Sequence, residues 1–148
     1  MLNLFSHINH VYPIDLTVKE IFVNYSDFTK DYYLEGELIV GNKTSKTIKL
    51  PKSFDLQIML TDKNGKVVQD RTGAIFEYVN LITLSKPVKI HKSENFSIKF
   101  IDDRLFTKDL IKGETYSLQY IFNVKQYEKM RKQINIEKIY SNIIEFEY

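Results

Sequence analysis

Apolar and polar residues alternate along much of the chain with a period of two, as expected of strands that bury one face. In the clearest case, Leu34, Leu38 and Val40 alternate with Glu35 and Glu37. The same alternation recurs in four further segments, at 54–61, 96–100, 116–122 and 144–148. Together these five segments predict an all-β fold.

Less regular segments predict the remaining strands. Residues 16–25 form one long strand with a bulge, because the apolar set shifts by one position between Val18 and Ile21. Two short strands are predicted at 47–50 and 88–91, each of which is bordered by a proline.

Turn signals separate these strands. Asn64-Gly65 lies between two apolar runs and predicts a hairpin with a type I′ turn, which needs positive φ at both central residues. The apolar stretch 75–84 is compatible with a strand or a short helix, and we interpret it as irregular with one helical turn.

One or two short helical insertions are predicted, in two candidate segments. Residues 102–112 carry Asp102 or Asp103 as an N-cap and Gly113 as a stop signal. The polar segment 127–133 is interpreted as an exposed excursion of one or two helical turns between the last two strands.

Length and composition indicate one domain. The chain has 148 residues and no linker or repeat, so we expect an N-terminal arm (1–14) and a single domain (15–148). It has no cysteine, which excludes disulfides, thiolate metal sites and cysteine nucleophiles. Its 21 basic and 19 acidic residues are too balanced to indicate nucleic-acid binding. No apolar run is long enough to span a membrane.

Part of the chain resembles small bacterial immunoglobulin-like domains. The stretch Leu110–Leu118 is similar to the approach to their penultimate strand, where a tyrosine bonds back to the backbone upstream; Tyr116 would fill this tyrosine corner. Segments 36–42 and 139–146 resemble a strand with an Asn-rich turn and the last strand of such domains. The resemblance implies an immunoglobulin-like Greek-key sandwich of about 7–8 antiparallel strands. The disulfide and tryptophan of antibody domains are missing, and no functional residue is carried across.

Catalytic and cofactor motifs are not found in the sequence. His7 and His10 lie three apart, but a metal site needs more ligands, and His91 is the one remaining histidine. Asp102 and Asp103 lack the pattern of a calcium loop, so capping is the simpler reading. No serine lies in a G-x-S-x-G context, and no phosphate-binding glycine loop occurs. We therefore expect no enzyme activity, no cofactor and no metal.

Two surface features indicate a binding role. The basic excursion could dock an acidic partner, with contact area from interleaved apolar side chains; the candidate residues are Lys125, Tyr127, Lys129, Met130, Arg131 and Lys132. The alternative is a solvated charged loop. Apolar residues on outward strand positions, Ile39, Met59 and Ile121, could instead form an exposed sheet face or lie under the helical segment.

The expected function is that of a non-catalytic module that binds another protein through strand-end loops or an exposed sheet face. Two alternatives stay open: an inhibitor or immunity protein that blocks a hydrolase or toxin, and a structural accessory domain of a cell-envelope assembly. Self-association fits the last of these. An exported location is favoured over a cytoplasmic one, because immunoglobulin-like modules are common there.

Overall fold

The computed structural model describes residues 13–68, 79–103 and 110–148 of the chain. In these ranges ten strands and one α-helix are present, with a 3-10 turn at Val124–Gln126 that leads into α1 (Glu128–Ile134). The strands are β1 (Ile14–Ser26), β2 (Asp31–Asn42), β3 (Ile48–Leu50), β4 (Ser53–Thr61), β5 (Val79–Thr83), β6 (Val88–Ile90), β7 (Asn95–Asp102), β8 (Thr115–Asn123), β9 (Lys138–Tyr140) and β10 (Ile144–Glu147).

All strand pairs are antiparallel and fall into three sheets. The first sheet has the order β1-β2-β7, and the second has the order β10-β8-β4-β5 with β9 also paired to β8. Strands β3 and β6 form a separate two-stranded sheet. The all-β prediction is confirmed, and so is a short helix after the eighth strand. No helix among the described residues is long and apolar enough to cross a membrane.

One hydrophobic core is built from the inward positions of both larger sheets. Every second residue of β4 is buried because the strand places alternate side chains on one face. Fully burying an aliphatic or phenylalanine side chain contributes roughly 1.5–3 kcal/mol, so the core drives the association of the sheets. Its largest fully buried members include Tyr120, Phe54, Phe122, Leu34, Leu38 and Leu56.

The predicted bulge in β1 is present. The register against β2 shifts between Lys19 and Ile21, and the inserted residue, Glu20, has a φ of 53°. The bulge returns Ile21 to the inner face opposite Gly36. A Cβ at Gly36 would lie 2.8 Å from Cζ of Phe100, so only glycine leaves room for that ring. The glycine opposite Ile21 thus leaves space for the phenylalanine ring on the inner face of the first sheet.

The structure corrects two predictions in the 62–84 region. In the turn at 62–65, Gly65 has a φ of 78° but Asn64 has no positive φ, so the turn is not type I′. Gly65 N–H donates to the Asp62 carbonyl at 3.0 Å, while the Asp62 carboxylate accepts from backbone N–H groups of the same turn. The second correction is β5: Val79–Thr83 is a strand, whereas an irregular segment with a helical turn was expected. Residues 69–78 lie outside the described residues.

The predicted helix at 102–112 is only partly covered, because residues 104–109 lie outside the described ranges. Asp102 is the last residue of β7 and is fully buried, and its carboxylate accepts a hydrogen bond from the Tyr120 hydroxyl at 3.2 Å. In the described structure Asp102 therefore joins the two sheets. The helix that Asp102 or Asp103 would cap lies largely outside the described residues, so the capping role stays a prediction.

The two larger sheets meet along two seams. At the first, the Asn142 side chain binds both backbone groups of Val18 in β1: its Oδ1 accepts from N–H at 2.7 Å, and its Nδ2 donates to the carbonyl at 3.0 Å. At the second, between β5 and β7, Asn80 Nδ2 donates to the Ile101 carbonyl at 3.4 Å. The two seams are thus bridged by asparagine side chains, the second by a longer and single bond.

Candidate functional site

A groove of about 580 Å³ lies beside the second seam. It runs from the bulge of β1 across β2 and β7 to the edge strand β5. Its volume falls within the range of roughly 300–1,000 Å³ that is usual for ligand sites.

Three large apolar side chains line this groove and are more than half exposed: Phe22 (58%), Leu81 (60%) and Ile101 (56%). Each occupies an outward position of its strand, on β1, β5 and β7 respectively. Water contact with large apolar side chains gathered in one groove is unfavourable, and such groups commonly mark interaction sites. The three side chains are therefore the strongest sign of a binding surface among the described residues.

The register of the first sheet places a carboxylate between two of these side chains. Glu35 pairs with Phe22 on one side and with Ile101 on the other. Its Oε2 accepts a hydrogen bond from Asn24 Nδ2 at 2.9 Å, which holds the carboxylate in place. No ion pair among the described residues includes Glu35 or the bulge residue Glu20.

The third glutamate of the groove, Glu37, has basic residues opposite it on both neighbouring strands. Glu37 lies opposite Lys19 on β1 and Lys99 on β7, and it accepts a hydrogen bond from the Ser97 hydroxyl. The groove lining as a whole contains three glutamates and one lysine, namely Glu20, Glu35, Glu37 and Lys99. Its charge is consequently negative.

The backbone of β5 also faces the groove. Leu81 pairs with Asp55 of β4, but Asp55 N–H donates to the Tyr127 hydroxyl at 3.0 Å, away from β5. Just beyond the end of β5, Leu84 N–H donates to the carbonyl of Lys52, the residue before β4, at 2.7 Å, and backbone groups alternate in direction along a strand. The N–H and C=O of Leu81 therefore point away from β4, towards the groove.

The residues of the predicted basic excursion fall into two groups in the structure, basic side chains at the surface and apolar side chains that pack inward. Lys125, Lys129 and Lys132 are exposed, Arg131 is half-buried, and Lys132 forms an ion pair with Glu128 at 3.1 Å. These four side chains still present a basic surface, and their contact with a partner stays a prediction.

The two apolar members of that excursion pack inward. Met130 is 2% exposed and belongs to the core, which corrects the expectation that it provides surface contact area. Tyr127 is half-buried, with its ring 5.5 Å from that of Phe122. Burial raises the pKa of the Tyr127 hydroxyl above its ordinary value. Met130 on α1 and Tyr127 just before it thus hold this segment against the core. The sequence pattern did not predict these inward contacts.

The three outward apolar residues of the strands do not form a common face. Ile39 lies in the first sheet, whereas Met59 and Ile121 lie in the second. Ile121 is also buried, at 4% exposed. Of the two possibilities for these residues, the single exposed sheet face is therefore wrong, and the apolar groove is made by other side chains.

The tyrosine predicted for the corner makes a specific contact. Tyr116 is buried at the start of β8, and its hydroxyl accepts a hydrogen bond from the Ile111 N–H at 2.8 Å, five residues upstream. The tyrosine-corner prediction calls for a bond from the tyrosine to the backbone upstream. The assignment of an immunoglobulin-type corner stays a prediction. The bond between Ile111 and Tyr116 holds the segment that enters β8 against the end of the sheet.

No group of three or more metal-ligating side chains occurs within the described ranges. His91 is exposed, and its ring Nδ1 lies 3.1 Å from the Thr47 hydroxyl. Its backbone N–H donates to the Glu94 carboxylate. His7 and His10 lie outside the described residues.

A second exposed apolar feature lies at the tip of the β1–β2 hairpin. Phe28 is 97% exposed, and the tip is closed by a bond from Lys30 N–H to the Ser26 carbonyl at 2.8 Å. Beside the tip, the rings of Tyr25 and Tyr32 meet edge to face at 5.1 Å. The hairpin thus projects one aromatic side chain from a firmly paired base.

Sequence reasoning missed the groove, although a signal was present. Phe22, Leu81 and Ile101 are apolar residues at strand positions that alternate with buried ones. Such positions are expected to be polar when a strand has one face in water. The alternation could therefore have marked the three residues as unusual, but only the fold brings them together.

No family model and no curated protein matches the chain. Among solved structures, the chain is similar to the putative ApaA protein from Bordetella pertussis, with 17% sequence identity, coverage of 93% of this chain and 94% of that chain, and a TM-score of 0.41. It is also similar to Spo0M, a sporulation control protein from Bacillus subtilis, with 10% identity, coverage of 90% and 49%, and a TM-score of 0.41. Similarity at this level defines neither a shared fold nor a shared function.

Proposed function

We propose that the chain is an immunoglobulin-like module that binds another protein, without catalysis, through the groove between the β1 bulge and β5. The observation that carries this proposal is the convergence of Phe22, Leu81 and Ile101, all more than half exposed, on one groove of about 580 Å³. Burying these side chains under a partner would remove them from water, at roughly 25 cal/mol per Å² of apolar surface.

The strand order supports the immunoglobulin-like part of the proposal. When the strands are lettered along the chain as in such domains, the sheet β10-β8-β4-β5 matches the sheet G-F-C-C′. The sheet β1-β2-β7 then matches A-B-E. The bond from Ile111 N–H to the Tyr116 hydroxyl at the start of β8 supports the same assignment, because a tyrosine corner on strand F would make such a bond. An experimental structure with a different strand order would overturn this assignment.

A capture experiment tests the binding role. Wild-type protein and the Ile101→Ser variant are immobilised and exposed to lysate of the source organism, and a retained protein is identified by mass spectrometry. The expected result is one stoichiometric partner that the variant retains at least about tenfold less, because each lost apolar contact in a buried interface is worth on the order of 1–2 kcal/mol. The purified partner then allows the affinities to be measured directly.

Ile111→Ser is the matched control for this experiment. Ile111 is 64% exposed, as Ile101 is at 56%, but it does not line the groove. A partner that both variants lose equally, or that neither loses, contradicts binding at the groove. A wild-type dimer that Ile101→Ser dissociates would make a second copy of the chain the occupant, contrary to the proposal.

A second candidate function is inhibition of an enzyme by the β1–β2 hairpin, and the exposure of Phe28 favours it. A projecting aromatic side chain on a rigid base loses little conformational freedom when it enters a pocket of a partner. In this case Phe28→Ala would abolish binding of the captured partner and Ile101→Ser would leave it unchanged. The two variants therefore separate the two surfaces.

A further inference from the structure

We propose that the groove recognises an extended peptide segment that carries an arginine between two apolar side chains. This inference rests on the proposed function and adds the chemistry of the bound segment. Three features of the groove support it: the arrangement of the apolar side chains, the position of Glu35, and the direction of the β5 backbone.

The first feature is the spacing across the first sheet. Phe22, Glu35 and Ile101 occupy paired positions on three adjacent strands, so a carboxylate lies between an aromatic and an aliphatic side chain. Neighbouring strands are about 4.8 Å apart, which places the two apolar groups roughly 10 Å from each other. A peptide in which two apolar side chains lie on either side of one cationic side chain would match this order.

The second feature is charge. Glu35 is fixed by Asn24 at 2.9 Å and has no cation opposite it on either neighbouring strand. A carboxylate held in this way is suited to a planar guanidinium, which forms two parallel hydrogen bonds to it. The exposed Phe22 ring alongside favours a guanidinium further, because arginine stacks on aromatic faces. Glu20 adds a second negative charge at the bulge end of the groove.

The third feature is the β5 edge. The N–H and C=O of Leu81 point towards the groove, and β5 has no other strand partner than β4 among the described residues. An edge strand with free backbone groups pairs readily with an extended segment. The bound segment is therefore expected to hydrogen-bond to the Leu81 backbone at one end and to cross β7 and β2, with its arginine at Glu35.

Selection from a library tests this inference without knowledge of the natural partner. A phage-displayed library of random dodecapeptides is panned on the immobilised full chain and depleted on Ile101→Ser. The expected result is enrichment of peptides with arginine flanked by apolar residues. Binding of a synthetic copy of an enriched peptide should fall about tenfold or more in Glu35→Gln, since a charge-assisted hydrogen bond is lost.

Glu145→Gln is the matched control, because Glu145 is an exposed carboxylate on β10 that does not line the groove. Its binding should equal that of the wild type. Selected peptides that depend on Ile101 but show no arginine enrichment, or that bind Glu35→Gln unchanged, overturn this inference and leave the proposed function intact. If no selected peptide depends on Ile101, both are overturned.

Discussion

The hydroxyl of Tyr120 donates a hydrogen bond to the carboxylate of Asp102 across the core, at 3.2 Å. Tyr120 belongs to β8 in the second sheet and Asp102 ends β7 in the first, and both are fully buried. The Phe100 ring meets the Tyr120 ring edge to face at 5.4 Å, so the tyrosine contacts β7 through both its ring and its hydroxyl. A buried carboxylate is costly unless it is hydrogen-bonded, which makes this pair important for the packing of the two sheets.

We expect Tyr120→Phe to lower the free energy of unfolding by about 1–3 kcal/mol, because it removes a donor from a buried carboxylate. Urea denaturation followed by circular dichroism measures the change. Tyr25→Phe is the control, since Tyr25 is 50% exposed and its loss of a hydroxyl should be nearly neutral. Equal stability of the two variants would contradict a structural role of the Tyr120–Asp102 bond.

Tyr116→Phe should destabilise the protein by about 1 kcal/mol, because the Ile111 N–H loses its acceptor. The effect should be local as well as global. Hydrogen exchange at the Ile111 amide is expected to accelerate in the variant more than exchange at the buried strands. An unchanged exchange rate at Ile111 would show that this bond does not hold the corner.

Gly36→Ala should lower the free energy of unfolding by about 1–3 kcal/mol through overpacking against Phe100. The ring of Phe100 is 6% exposed and packed on Tyr120, so it cannot easily move aside. In the double variant with Phe100→Leu, the effect of Gly36→Ala should shrink, because the competing ring atoms are gone. If the effects of Gly36→Ala and Phe100→Leu on the free energy of unfolding are additive, a contact other than Phe100 causes the destabilisation by Gly36→Ala.

Stability should fall at alkaline pH through Tyr127. Burial raises the pKa of its hydroxyl in the folded protein above the ordinary 10.0, so the unfolded chain ionises first. The contribution is therefore fully present below pH 10.0 and is lost as the pH rises through the folded pKa. Tyr127→Phe should be less stable at neutral pH, because the Asp55 N–H loses its acceptor, and should lose less stability than the wild type as the pH rises above 10.0. Parallel pH profiles of the two proteins would contradict this reading.

All the described strands except β5 and β9 could be predicted from the sequence, because alternation is a local property of the pleated backbone. The bulge in β1 could be predicted for the same reason. An inserted residue shifts the inward-facing apolar residues from even to odd positions, and this shift occurs between Lys19 and Ile21. The turn at 62–65 was placed correctly, but its type was not. The Asp62 carboxylate and a single left-handed glycine there stabilise a different turn.

The helical excursion shows where local pattern was insufficient. Met130 and Ile134 are four residues apart and face the core, at 2% and 7% exposed, yet too few apolar residues mark that stripe in a helix of seven residues. The Tyr127 hydroxyl accepts a hydrogen bond from the Asp55 N–H, although the two residues are more than seventy positions apart in the chain. Contacts of that range depend on how the sheets pack, which alternation alone does not specify.

By itself, the sequence determined the strands with regular alternation and the buried face of most of them, since both follow from the period of the side chains along an extended backbone. It did not determine β5 or β9. Only the tertiary structure decided the candidate site. Phe22, Leu81 and Ile101 come from three strands that are distant in the chain, and their proximity depends on strand order, on the bulge at Glu20 and on the gap between β5 and β7. A binding surface of this kind is a property of long-range packing, which is why it left only scattered apolar residues in the sequence.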